Sequence, residues 1–325
     1  MGRLVHAGSA VVDHIYLIDR LPAPGAEKIA HRHWRTVGGG FNMMAAARRA
    51  DMKVAFAGRH GTGPNGDMLR SALLSEGIDI LADPFPETDT GDCVVLVTDD
   101  AERTFVSSPG AESGHTDDEL ASITLEADDW VFVSGYTLSY SNSRDALARW
   151  IEALPAAVPL VFDPTPAVEA IPRTLLERVL ARTTWLSCNL AEAAVIAGIN
   201  TPGETLARPV LALCPQAAGL VLRSGPTGAW LCLKSGENIP VPGFNVTVVD
   251  TNGAGDTHIG AFVAALARGE KPMDAARYAN AAAALSVTRA GGAGGPSDQE
   301  IRAFLETRQE EAKADQTGGR KTARL

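Results

Sequence analysis

The chain has 325 residues, with 29 Lys+Arg against 39 Asp+Glu, a formal net charge of −10 at pH 7, and a composition 45% hydrophobic and 21% charged. A chain of this length buries roughly three quarters of its unfolded surface, so no disulfide or metal staple is needed, and the acidic balance excludes a protein that tracks nucleic acid through clustered Lys and Arg. The longest apolar runs fall far short of the ~20 residues of a membrane span and the N-terminus has no leader-type segment, so a cytoplasmic protein that binds neither membrane nor nucleic acid is expected.

In chain order, the run from Leu4 to Asp13 reads as an opening strand. Residues 14–36 then alternate like strands, with turn chemistry at Pro24-Gly25 and no helix. A helix over 43–50, a strand over 53–58 and a helix over 66–77 follow. A second strand-like segment covers 88–108, with a turn at Asp99-Asp100. After it come a strand over 129–135, a helix over 143–155, and strands over 159–163, 183–189 and 219–225. An apolar helix after Asp256 and an Ala-rich helix over 275–291 close the pattern. Buried apolar strands alternating with amphipathic helices predict an α/β fold: a doubly wound, mainly parallel sheet with helices on both faces. The two irregular segments predict a small separate sheet, a lid over the main one. Its apolar positions Ile15, Leu17, Val94 and Leu96 have no helix in sequence to cover them, which predicts a homodimer through the lid. From residue 308 the chain is charged and nearly free of large apolar residues, so residues 1–307 are expected to form one domain and 308–325 a disordered tail. Cys93, Cys188, Cys214 and Cys232 lie far apart without a C-x-x-C pair and read as buried free thiols.

The strongest local signal runs from Val248 to Thr257. A strand is predicted to end there, Gly253-Ala254-Gly255 to turn tightly, and a helix to open with Asp256 in its first turn. Small residues let backbone N–H groups approach a phosphate, and the helix N-terminus adds its positive end. A carboxylate beside such an anion hole is what phosphoryl transfer requires: a base for the acceptor hydroxyl, with donors on the transferring group. Taken alone, the same residues also fit an Asp that merely stabilises a helix start.

This stretch resembles the D-T-x-G-A-G-D signature of the ribokinase-like (PfkB) carbohydrate kinase family, and other family motifs follow in order from about residue 1 to 305. Gly8 to Asp13 is similar to the family's first-strand motif, which implies that Asp13 binds acceptor hydroxyls. Gly38 to Asn42 resembles its glycine-rich turn, implying sugar contacts from Gly39, Gly40 and Asn42. Tyr136 stands where ribokinase has an acidic sugar ligand, and Glu102-Arg103-Thr104-Phe105 where the lid strand returns. Asn189 and Glu192 match an N-x-x-E element linked to magnesium and phosphate. Arg223, Gly225 and Gly228 fall in the nucleotide-side turn, and Asn280 in the helix that lines the adenine. Some members hold a monovalent cation, K+, between the Asp250 loop and a later turn, here 291–297, which implies metal contacts from Asp250 and Ser297. The resemblance therefore implies ATP and Mg2+ as cofactors, Asp256 as base, and Gly253, Ala254 and Gly255 on the phosphoryl charge. The activity implied is transfer of the γ-phosphoryl group to a primary hydroxyl of a small sugar. Ribose is disfavoured as acceptor, because Gly39 stands where ribokinase carries a Lys and Tyr136 replaces the acid. A nucleoside kinase, with a base stacked on Tyr16, Trp34, Phe41 or Phe105, and a non-catalytic sugar or nucleotide sensor are the alternatives. No G-x-x-x-x-G-K-[ST] loop is present, so this is not a P-loop enzyme.

Overall fold

The computed structural model describes residues 2–100, 102–199 and 203–318. The chain opens with β1 (Arg3–His6), β2 (Ala10–Leu17), β3 (Arg32–Gly39) and α1 (Gly40–Arg49). It continues through β4 (Lys53–Phe56), α2 (Pro64–Ser75), β5 (Asp79–Ile80), β6 (Asp92–Val97), β7 (Arg103–Ser108) and α3 (Asp117–Ala121). The middle holds β8 (Trp130–Ser134), α4 (Gly135–Ser139), α5 (Arg144–Ala153), β9 (Leu160–Asp163) and α6 (Arg173–Arg182). It ends with β10 (Trp185–Asn189), α7 (Leu190–Ala197) and α8 (Ala207–Ala212). The last part comprises β11 (Gly219–Arg223), β12 (Gly228–Leu233), β13 (Asn238–Pro242), α9 (Ala254–Ala267), α10 (Pro272–Ser286) and α11 (Asp298–Gly318).

Nine strands form one sheet in the order β13-β12-β11-β10-β9-β8-β1-β4-β5. The seven from β11 to β5 run parallel, while β12 runs against them and pairs antiparallel with both β11 and the rim strand β13. Parallel strands covered on both faces need apolar side chains on both, which is why Val131-Phe132-Val133 and Leu160-Val161-Phe162 are continuous runs at 0–2% exposure. One apolar layer packs α1, α9 and α10 on the sheet through Met43, Met44, Phe262 and Tyr278. The other packs α5, α6 and α7 through Leu147, Leu180 and Ile196. From β1 the winding goes one way to β4 and β5 and the other way to β8 and its successors, so the order reverses between β1 and β8. Such a reversal opens a crevice at the carboxyl ends of the strands.

The second sheet has the order β3-β2-β6-β7 and takes its strands from both expected segments. It begins at Ala10, because the run from Leu4 to Asp13 is two strands rather than one. Gly8 breaks it where the chain turns over the His6 ring: a Cβ there would lie 2.3 Å from His6 Cε1. Asp13 is therefore carried by the lid and not by the end of β1. Register pairs Ile15 with Trp34 and Val95, and His14 with Arg35 and Val94. Side chains alternate across a strand, so Ile15 and Leu17 share the face of Asp13 while Val94 and Leu96 lie on the opposite face. The four apolar positions expected to form one exposed surface are thus divided. Ile15, Cys93 and Val95 make a small core on the Asp13 side. On the outer face Tyr16 stacks on His33 at 4.3 Å, with Val106 62% exposed.

All four cysteines are free and buried, as expected. The segment from 308 departs from expectation: α11 runs on to Gly318, and residues 319–325 lie outside the described residues. Strong helix formers such as Glu310 and Glu311 favour its continuation. Arg308 also lies over the Phe304 ring and donates to the Asn245 carbonyl at 3.1 Å. Among the described residues, no helix is long and apolar enough to cross a membrane.

Candidate active site

The strand expected before the Gly253 turn does not form. Instead the Val249 and Asp250 amides bond to the Val287 carbonyl at 2.7 and 3.1 Å, and Val248 and Val249 stay exposed. Gly253 caps α9 in the left-handed region, at φ 70°. A Cβ on it would lie 1.9 Å from the Gly292 carbonyl oxygen, so glycine is required there twice over. Ala254 starts the helix and donates its N–H to Thr251 O at 3.3 Å. Asp256 follows in the first turn, at the third helical position.

Around Asp256 the fold gathers side chains from distant parts of the chain. Asn42, in the first turn of α1, donates to its carboxylate at 3.5 Å, and Asn42 Oδ1 is buried without a partner. Burial pushes the Asp256 carboxyl up to about 6, and the negative charges of Asp163 and Glu192 add to this while Arg223 opposes it. Asp13 reaches the same space from the lid. Burial pushes its carboxyl up to about 7, with the charge of Asp256 contributing. The approach depends on Gly38, where a Cβ would lie 2.1 Å from Asp13 Oδ2. Gly39 and Gly40 then hand β3 over to α1. Tyr136, in the first turn of α4, is 44% exposed, and burial together with the charges of Asp256, Asp163 and Glu192 raises its phenol.

The floor of the site is a buried charge cluster at the ends of β9, β10 and β11. Arg223 bonds Asp163 and Glu192, each at 3.2 Å, and donates to the Gly255 carbonyl at 3.3 Å. One guanidinium at the end of β11 thus ties the end of β9 and the first turn of α7 to the first turn of α9. Asp163 was not among the predicted site residues. The signal for it was its place at the carboxyl end of an apolar strand, the same signal that marks Asn189. Asn189 and Glu192 form a reciprocal capping box on α7, with Asn189 N to Glu192 Oε2 at 2.8 Å and Glu192 N to Asn189 Oδ1 at 2.9 Å. Gly225 and Gly228 shape the turn from β11 to β12, closed by Ser224 N to Gly228 O at 2.8 Å.

Three predicted residues are engaged elsewhere. Asn280 accepts at Oδ1 from His258 Nε2 at 3.1 Å and donates from Nδ2 to the Val241 and Pro242 carbonyls at 2.8 and 3.1 Å, so its amide clamps β13 to α10 and is not a free nucleotide contact. Ser297 caps α11: its hydroxyl accepts from Glu300 N at 3.3 Å and donates to the Glu300 carboxylate at 2.9 Å, which removes it as a cation ligand. Asp250 accepts from Asn252 N at 2.9 Å and Gly291 N at 3.0 Å, and is ion-paired with Arg103 of the lid. Both its oxygens are taken, so no cation fits between it and the 291–297 turn in this arrangement. Glu192 likewise meets Arg223 before any metal.

The model for the pfkB family carbohydrate kinases matches residues 1–299. An uncharacterised sugar kinase of Escherichia coli strain K12 is 33% identical over 302 residues, covering 90% of this chain and 91% of that protein. The ribokinase of Haemophilus influenzae is 28% identical over 307 residues, covering 92% and 97%. Among solved structures, the ribokinase of Thermotoga maritima has a TM-score of 0.80 at 23% identity, covering 94% of this chain and 100% of that one. A Burkholderia thailandensis nucleoside kinase in complex with inosine has a TM-score of 0.76 at 19% identity, covering 94% and 97%.

Proposed function

The chain belongs to the pfkB family of carbohydrate kinases, and from that premise we propose how its site moves the γ-phosphoryl group of ATP to a primary hydroxyl of a small sugar. It is an ATP-dependent carbohydrate kinase. One observation carries the proposal: Asp256 sits in the first turn of α9 behind the left-handed Gly253, hydrogen-bonded by Asn42 and raised toward neutrality. A carboxylate so tuned takes a proton from the acceptor hydroxyl near the working pH, while the helix start stabilises charge on the transferring group. Asp13 and Asn42 hold the sugar, with Gly39 and Gly40 letting it lie against the backbone and Tyr136 closing the side. ATP lies over the Arg223 to Gly228 turn and Asn189.

Asp163, Glu192 and Asp256 place three carboxylates against one guanidinium, Arg223. The surplus negative charge and its hard oxygen donors suit Mg2+, which Glu192, Asp163 and Asn189 would hold through water. The ion would neutralise phosphate charge. We place the enzyme in the cytoplasm, where ATP is made available, as a soluble partner of a small molecule alone. Its outer lid face, with Val94, Leu96 and Val106, is assigned to a homodimer contact. Light scattering at micromolar concentration should therefore give twice the chain mass, and Val106→Glu should halve it. A monomer in the wild type counts against that contact.

The acceptor is identified by a phosphorylation screen of free sugars, sugar phosphates and nucleosides with Mg-ATP. Trp34 and Phe105 lie on the Asp13 side of the lid and favour nucleosides as the second reading, whereas Tyr16, on the outer face, cannot stack there. Asp13→Asn is expected to raise the KM for the best acceptor at least tenfold while leaving the affinity for ATP within twofold, because an amide cannot accept from two adjacent hydroxyls as a carboxylate does. Equal loss for both ligands would point instead to a damaged lid.

A further inference from the structure

The family-implied site for a monovalent cation consists of the Asp250 carboxylate and the backbone of the 291–297 turn, and in this protein two guanidiniums already occupy those oxygens. Arg103, from β7 of the lid, pairs with Asp250 Oδ1 and approaches Thr251 Oγ1 at 3.5 Å. Arg49, in the last turn of α1, donates from Nη1 to the Ala293 carbonyl and to the Gly295 carbonyl at 3.0 Å. Its remaining nitrogens grip Glu76, with Nε on Oε2 at 3.0 Å, which fixes the guanidinium in place. Gly291 turns its N–H, not its carbonyl, toward Asp250. Ser297 is committed to Glu300.

A monovalent cation in such a place does two things: it neutralises a buried carboxylate and it gathers carbonyls into one geometry. Here Arg103 does the first and Arg49 the second. We propose that Arg103 and Arg49 are positioning residues that stand in for a monovalent cation, so that the Asp250 loop and the Gly253 turn behind it are held without K+. The Gly292 carbonyl, against which Gly253 packs, belongs to the turn that Arg49 grips. The two arginines thus set the turn from the lid side and from the acceptor-helix side.

The inference rests on the reading of Gly253 to Asp256 as the phosphoryl site only for its effect on turnover. Melting temperature and Mg-ATP affinity report it without any acceptor, so its failure is distinguishable from failure of the kinase mechanism. The full chain is compared in KCl and in choline chloride at equal ionic strength. Wild type is expected to show the same melting temperature and the same Mg-ATP affinity, within twofold, in both salts. Arg103→Gln leaves Asp250 unpaired and opens the site, so its melting temperature should rise by about 3 °C in KCl over choline chloride, and its Mg-ATP affinity should recover with it. Arg103→Lys, which keeps a charge on Asp250, should remain indifferent to K+ and controls for general damage. If Arg103→Gln does not fold, the wild-type response alone decides. A wild-type protein that needs K+, or a folded Arg103→Gln protein no more responsive than wild type, overturns the proposal.

Discussion

Asp256→Asn is expected to lower kcat by two orders of magnitude or more, with ATP and acceptor affinities changed by no more than a few-fold. The substitution keeps the size of the side chain and the start of α9, and removes only the basicity that general-base catalysis uses for about 10²- to 10⁴-fold. A residue that merely stabilised the helix N-terminus would contribute about 0.3–1 kcal/mol of stability and leave turnover alone. Stability gives a second discrimination. The Asp256 carboxyl is raised from 3.8 to about 6 by burial, so its contribution to stability is present below the unfolded value and is lost as pH rises through about 6. At neutral pH the ionised group therefore opposes folding, and Asp256→Asn should melt at the wild-type temperature or above it. The same shift sets the wild-type pH profile. The base must be ionised, so kcat should fall about tenfold per unit as pH drops below about 6. A variant that turns over at near wild-type rate, or a wild-type profile flat down to pH 5, would remove Asp256 from the chemistry.

The second large effect belongs to Arg223. Arg223→Met leaves Asp163 and Glu192, both nearly buried, without their shared cation and frees the Gly255 carbonyl. Removing one partner of a buried ion pair costs about 3–5 kcal/mol, against near zero when all partners become neutral together. For a chain of this size that corresponds to a melting temperature lowered by roughly 4–7 °C. Glu192, which burial already raises, would rise further without the guanidinium, so the deficit should be largest at neutral pH and shrink toward pH 5. Replacing Asp163 with Asn and Glu192 with Gln alongside Arg223→Met should restore most of the loss. Calorimetry checks both, and an Arg223→Met protein that melts with wild type would mean that the cluster is not coupled to the fold.

The large sheet was legible because parallel strands buried on both faces have to be written as apolar runs: β4, β8, β9, β10 and β11 stand within two residues of their expected ends, whereas β1 was joined to β2 in one run and β5, β12 and β13 were not anticipated. The lid was legible as two interruptions of that rhythm. Its faces were not, because alternation assigns residues to a face only once register is known, and a parallel pairing of β2 with β6 placed Ile15 opposite Val95 and not beside Val94. Asp256, Asn42 and Asp13 meet where the motif order implied. Ser297 and Asn280 do not, for a common reason. A polar residue's place in a motif says nothing of the local bonds that compete for it, and Ser297 three residues before Glu300 is a capping box by spacing alone. Asp163 and Arg223 illustrate the converse. Each is marked by its place at the end of an apolar strand, but their pairing exists only because β9 and β11 flank β10 in the sheet.

The large sheet also fixes where this protein is open to other chains. One rim is β5, two residues long. The other is β13, where Pro240 and Pro242 stand two apart and so would direct their N–H groups to the same side, away from β12. That rim has lost donors that an intruding strand would need, which guards a nine-stranded template against fibril-like stacking. The smaller sheet has no comparable guard: β7 runs Arg103–Ser108 without proline and with Phe105 and Val106 more than half exposed. Under stress, aggregation should therefore start from the lid, and a charge or proline placed in β7 should raise solubility at elevated temperature without touching the core.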